Sequence, residues 1–176
     1  MSMEFLTAPW HDKFFGDATR KYEIDHCEDA LIFIPYGCLV DEFQHRVYEN
    51  PDMTPAQRNQ AWLELESKFR PHIKTEGIPF IEEGRRWQYQ MHIYESPFYY
   101  IDYCLAQTAA FGFLLASLED YDAAFARYVH LSKQGGETYF EDLLKEAEIP
   151  SPFKEGALQA LADKVEELLR KLKAEM

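Results

Sequence analysis

The sequence predicts an all-α fold, and three observations carry that expectation. The hydrophobic pattern reads as helical throughout. No segment of any length alternates apolar and polar residues between turn signals at hairpin spacing. Capping and breaking residues cut the chain into helix-sized pieces: Asp17, Pro51, Thr54-Pro55, Pro71, Ser96-Pro97 and Gly135-Gly136. At 176 residues the chain fits one domain. A chain of that size can bury roughly 70% of its unfolded surface, so it needs no disulfide or metal staple. Residues 1–176 are expected to form a single multi-helix domain, with no repeat and no linker.

The elements follow in order. Met1 to about Phe15 is apolar on one side and ends at Gly16. Asp17 is placed to cap a second helix running to about Phe33, with Asp25, Glu28 and Asp29 as its acidic patch. Pro35 and Gly37 are expected to interrupt that helix before it resumes from Val40 to about Glu49. Thr54-Pro55 is an N-cap followed by proline at the first helical position. That helix runs to Phe69, with Ala61, Leu65 and Phe69 on one face, and Pro71 stops it. Residues 71–84 read as loop. Ser96-Pro97 repeats the cap-plus-proline signal and opens a long apolar helix to about Leu118. Asp122 is expected to cap a helix to about Lys133, and Thr138 to Glu141 forms a capping-box pattern that starts a short helix before Pro150. A last helix, about Lys154 to Lys173, places Leu158, Leu161, Val165, Leu168 and Leu172 on one stripe. At under three heptads it is expected to pack on its own domain rather than form a coiled coil.

Composition excludes several function classes. Thirty-one Asp and Glu against 18 Lys and Arg give a formal charge of −13. A surface that neutralises phosphates must be basic, so nucleic acid is not an expected partner, and neither is an anionic membrane. The apolar run Cys104 to Leu118 is shorter than the ~20 residues of a membrane span. The N-terminus lacks the basic and apolar regions of a signal peptide. Cys27, Cys38 and Cys104 are widely spaced with no C-x-x-C, and read as reduced thiols of a soluble cytoplasmic protein. Aromatic residues reach 15%, with 13 Phe, 11 Tyr and 3 Trp. Eleven tyrosines point to a surface or cleft that uses phenol groups.

Motifs for common chemistries are absent. There is no H-E-x-x-H, G-x-S-x-G, G-x-G-x-x-G or phosphate loop. Glu42-x-x-His45 could put two metal ligands on one helix face, but a di-iron bundle needs two such motifs and two further Glu. The plain reading is a hydrogen-bonded pair. No cysteine sits at an evident helix N-terminus, where a thiol would be activated. The most informative stretch is W-Q-Y-Q-M-H-I-Y-E-S-P-F-Y-Y-I-D-Y-C-L-A-Q, from Trp87 to Gln107. It places His92 and Tyr94 in a loop or short helix, then Tyr99, Tyr100 and Tyr103 on the first turns of the next helix. Tyr100 and Tyr103 are i, i+3 and share a face, and Tyr99 and Tyr103 are i, i+4. Phenols beside an imidazole can donate hydrogen bonds to a developing oxyanion. From spacing alone, an aromatic core with hydroxyls reaching water is the simpler alternative.

That stretch, from His92 onward, resembles the substrate-clamping segment of the thimet oligopeptidase / oligoendopeptidase F family of zinc peptidases. The opening M-S-M-E-F-L-T-A-P-W, the segment I-P-Y-G-C-L-V-D-E-F-Q-H-R-V-Y-E-N-P-D-M-T-P and the block D-Y-D-A-A-F-A-R-Y-V-H-L-S-K-Q-G-G resemble the oligoendopeptidase F branch. The resemblance therefore runs in order over nearly the whole chain. It implies the C-terminal helical part of a catalytic domain that hydrolyses short peptides with one zinc held by H-E-x-x-H and a further Glu. Carried over by position, His92, Tyr100 and Tyr103 would stabilise the transition state, with Tyr94 and Tyr99 as substrate contacts. The thimet branch has a longer glycine-containing loop between its His and its tyrosines than this chain does. The zinc motif would lie just upstream of Met1. The chain is thus expected to hold no zinc and to be inactive alone, a truncated, split or expressed piece of a peptidase. The alternative is a free-standing helical binding or assembly module. Expected partners are an oligopeptide in the complete enzyme, the missing N-terminal part, and a second copy meeting Met3, Phe5, Leu6, Trp10, Phe14 and Phe15 or the tyrosine wall.

Overall fold

The computed structural model describes residues 1–176. Every regular element is helical: α1 (Ser2–Leu6), α2 (His11–Phe15), α3 (Thr19–Glu49), α4 (Pro55–Phe69), α5 (Pro79–Glu82), α6 (His92–Glu95), α7 (Tyr100–Glu119), α8 (Tyr121–Gln134), α9 (Phe140–Glu146) and α10 (Ala157–Ala174). Short 3-10 turns lie at Ala8–Trp10, Gly16–Ala18 and Arg86–Tyr89. The fold class is the one the periodicity predicts. The chain divides into two units, one made of residues 1–30 and 105–176, the other of residues 31–104.

The 31–104 unit holds the aromatic stretch. Its core joins Leu39, Val40 and Phe43 of α3 to Ala61, Trp62 and Leu65 of α4, with Trp87 closing one side. Trp62 is fully buried and meets Phe43 edge-on at 5.2 Å. Thr54 caps α4 as expected, and Gln57 completes a capping box by accepting from the Thr54 backbone N–H at 2.8 Å.

The largest departure from expectation is α3, which runs unbroken through Pro35 for 31 residues. Proline removes one backbone hydrogen bond from a helix. Here packing outweighs that loss. Gly37 is in contact with α7, where an added methyl group would overlap Cys104 Sγ. The Cys104 thiol also donates to the Ile34 carbonyl oxygen at 3.5 Å. Gly37 is thus a point of close helix approach and not a break. α7 likewise starts later than Ser96-Pro97 suggests. Phe98 takes a left-handed φ of 63°, which holds the chain out of helix until Tyr100.

In the unit of residues 1–30 and 105–176, Ala109 and Phe113 of α7 pack on Leu144, Ala147 and Ile149. Gly112 lies against Ile149, and Val165 and Leu169 bury one stripe of α10. α7 is 20 residues long, enough by length and composition to cross a bilayer, but Gln107 to Leu114 are buried within the fold. The N-terminal segment is not one helix. Pro9 and Gly16 divide it, and α3 begins at Thr19, whose hydroxyl donates to Gly16 O at 2.7 Å, so Asp17 is no cap. Phe5 and Leu6 are buried, contrary to expectation, with Phe5 5.3 Å from Phe111. Met3, Trp10, Phe14 and Phe15 are exposed. Two further caps differ. Asp120 rather than Asp122 caps α8, by accepting from Ala123 N at 3.0 Å. Tyr139 precedes α9 with no side-chain cap, so the Thr138 capping box does not form.

Candidate functional site

The segment leading to the histidine is pinned before any functional side chain is placed. Trp87 donates its indole N–H to Asn59 Oδ1 on α4 at 2.9 Å and packs 5.4 Å from Phe43 on α3. On the far side of α6, Gln44 is buried and accepts from Phe98 N at 2.8 Å. The Phe98 ring rests 4.9 Å from both His45 and Tyr48. These anchors hold both ends of the stretch that carries the His and Tyr residues, and they stabilise the unusual Phe98 backbone.

Between them, His92 and the first turn of α7 converge. The His92 ring lies 4.9 Å from Tyr100 and 5.7 Å from Tyr103, both edge-to-face. Tyr100 and Tyr103 are 5.5 Å apart, and Tyr99 is 5.4 Å from Tyr103. Four of the five residues singled out in the sequence therefore form one aromatic group. Tyr99 joins it from the position just before α7, half exposed, and not from within the helix. Tyr94 does not join it. Its half-exposed ring stacks 6.2 Å from Trp87, and burial lifts its phenol pKa against the pull of Arg58.

Sequence reasoning missed two members. Gln90 donates through Nε2 to His92 Nδ1 at 2.9 Å and accepts from the Tyr36 hydroxyl at 2.8 Å. An accepting Nδ1 leaves the proton of a neutral imidazole on Nε2, so His92 can donate from its outer nitrogen. Tyr36 meets Tyr100 edge-on at 5.9 Å. The arginines Arg70 and Arg86 lie over the Tyr36 ring at 5.0 and 5.5 Å. Glu66 accepts from Arg70 at 3.2 Å within the core. The only local signal for Gln90 was its i, i+2 spacing from His92. Tyr36 gave none, because α3 brings it from 54 residues away.

Burial controls the protonation of the phenols. It pushes Tyr100 up to about 12, with the Tyr36 and Cys104 side chains adding to the rise and Gln90 opposing it. Burial also raises Tyr36, against Arg86 and Arg70. Tyr100 is a protonated donor at neutral pH. An imidazole N–H and phenol O–H groups on one surface can donate to a carbonyl oxygen as it gains negative charge.

The zinc implied by the resemblance finds no such home in these residues. No three His, Cys, Asp or Glu side chains come together in a way that would hold a metal ion. Glu42 and His45 turn to different partners. Glu42 accepts from Lys68 at 2.8 Å and Arg46 at 3.1 Å, while His45 lies 3.5 Å from Asp41. Lys68, then Arg46, hold the Glu42 carboxyl below its ordinary range.

No family model matches the chain, and no curated protein matches it. Solved structures do. PZ peptidase A with inhibitor 2 superposes with a TM-score of 0.93 at 47% identity, over 97% of this chain and 30% of its own. A structure assigned as oligoendopeptidase F superposes at 0.92 and 47% identity, over 96% of this chain and 30% of its own. Another so assigned, from Bacillus anthracis str. Ames, gives 0.80 and 39% identity, over 97% and 27%. The chain thus spans less than a third of the length of these structures. With 39–47% identity along nearly all of its own helical path, the chain is similar in sequence and fold to one segment of the oligoendopeptidase F and PZ peptidase structures.

Proposed function

We propose that this chain is the part of a metallo-oligoendopeptidase that holds a short peptide and stabilises the tetrahedral intermediate at its scissile carbonyl. The observation that carries the reading is the convergence of His92, Tyr100 and Tyr103 within 6 Å of one another, with Gln90 orienting the imidazole. His92 Nε2–H and the phenols donate to the oxyanion. Tyr99 and Tyr94, both half exposed, contact the peptide. The residues of this chain supply no metal site of their own, so the isolated chain is inactive. It acts only beside the segment that brings the zinc.

The test is a chimera in which this chain replaces the corresponding segment of a 47%-identical peptidase, assayed on a quenched fluorescent peptide. In it, His92→Ala and Tyr103→Phe lower kcat by ~10²–10³-fold with KM within a few-fold, because a bond to the oxyanion contributes only in the transition state. A raised KM at unchanged kcat would reduce these residues to ground-state binding. Stoichiometric zinc and chelator-sensitive cleavage by the chain alone would overturn the claim that it is inactive.

A further inference from the structure

Two of the three cysteines meet where α3 and α7 cross, and neither takes part in the reading above. Ile34, Gly37, Cys38 and Asp41 follow i, i+3, i+4, i+7 spacing and so share one face of α3. That face is set against Cys104 on α7. Cys104 Sγ lies 3.5 Å from Ile34 O, the carbonyl to which the Cys38 amide bonds within the helix, and it occupies the space a methyl on Gly37 would need. The missing Cβ lets the two backbones approach more closely than a side-chain contact would allow. Cys104 is buried, while Cys38 is only half-buried.

We propose that Cys38 and Cys104 form a reversible redox pair that closes an intramolecular disulfide between α3 and α7, with a low-molecular-weight disulfide such as oxidised glutathione as the oxidant. The Cys38 thiolate attacks one sulfur of the reagent, breaking its S–S bond and releasing one glutathione thiolate, which takes up a proton. Cys104, its proton passing to water, then attacks Cys38 Sγ and expels the second glutathione as thiol. Two protein S–H bonds and one reagent S–S bond are exchanged for one protein S–S bond and two glutathione S–H bonds. Two electrons pass from the protein to the reagent.

The environment suits this order of events. The Cys104 S–H, which rests on Ile34 O, can turn to a Cys38 thiolate, and this lowers the Cys38 pKa to about 7, against burial and the nearby Asp41 carboxylate. Cys104 itself is held well above the ordinary thiol range by that same bond and by burial. Cys38 is therefore the attacking thiolate and Cys104 the resolving thiol. Cys27 is excluded as a partner of Cys38, since both lie on α3 eleven residues apart, about 16 Å along the helix and far beyond disulfide reach. The link would lie directly beneath Tyr100, whose ring is 3.8 Å from the Gly37 methyl position. It would fix the tyrosine-bearing turn of α7 to α3.

The test exposes the full chain to oxidised glutathione, then alkylates, digests and maps it. The expected product is a monomer that has lost two hydrogens, with Cys38 joined to Cys104 and Cys27 alkylated, and dithiothreitol reverses it. Cys27→Ser leaves the link intact. Cys104→Ser, checked for folding by circular dichroism, stops at a stable glutathione adduct on Cys38. Cys38→Ser takes up neither. Three free thiols in the treated wild type, a lasting adduct on Cys38 beside a reduced Cys104, or any bridge through Cys27 would overturn the assignment.

Discussion

Replacing Gly37 by alanine tests whether close packing of α7 is what keeps α3 continuous. The substitution has two opposed effects. In a helix interior, alanine is favoured over glycine by about 0.5–1 kcal/mol through backbone entropy. The new methyl would overlap Cys104 Sγ, while its other neighbours, including Tyr100 at 3.8 Å, are in ordinary contact. Forcing one carbon into a packed contact costs about 1–3 kcal/mol. Cys104 cannot swing freely away, because it is buried and bonded to Ile34 O. The net expectation is a loss of up to about 2 kcal/mol in the wild-type background. In a Cys104→Ala background the obstructing sulfur is gone, and the same change should stabilise by up to about 1 kcal/mol. The double-mutant cycle should therefore give a coupling of about 1–3 kcal/mol. Urea unfolding followed by far-ultraviolet circular dichroism, with reductant present, reads all four proteins. An equal effect of Gly37→Ala in both backgrounds would refute the reasoning, because the sulfur would then not set the helix spacing.

Three further outcomes are expected. Trp62→Ala should lose ~3–5 kcal/mol, since it empties a fully buried indole site between α3 and α4, and a loss below about 1 kcal/mol in urea titration would mean that core is misassigned. The Tyr100 pKa is raised from 10.0 to about 12 on folding, so the folded state keeps a proton that the unfolded chain releases. The stability this gives is fully present below pH 10 and falls as pH rises toward 12. Urea midpoints across that window should drop less in Tyr100→Phe than in wild type, and identical pH profiles would contradict the burial argument. Gln90→Leu should release the His92 tautomer, read as a change in its ring nitrogen-15 shifts, whereas unchanged shifts would show that Gln90 does not orient the imidazole.

The sequence alone determined the features that depend on neighbouring residues. The α4 start at Thr54-Pro55 and the stop before Pro71 follow from groups within one helical turn, and so were legible. The pairing of Tyr100 with Tyr103 follows from helical spacing; of the five residues the sequence singles out, His92, Tyr99, Tyr100 and Tyr103 lie together, while Tyr94 stacks on Trp87 instead. Tertiary structure decided the rest. Pro35 and Gly37 carry a local signal to break, which is overridden because α7 packs into the space that glycine leaves. Ser96-Pro97 carries a local signal to start a helix. It is delayed to Tyr100 because a buried Gln44 from α3 takes the Phe98 amide and holds a left-handed turn. Tyr36 and Gln90 gain their contacts across α3 and the segment leading into α6, and Cys104 of α7 reaches Ile34 on α3. Which distant residues meet at a helix crossing depends on how whole faces pack, and no window of a few residues contains that information.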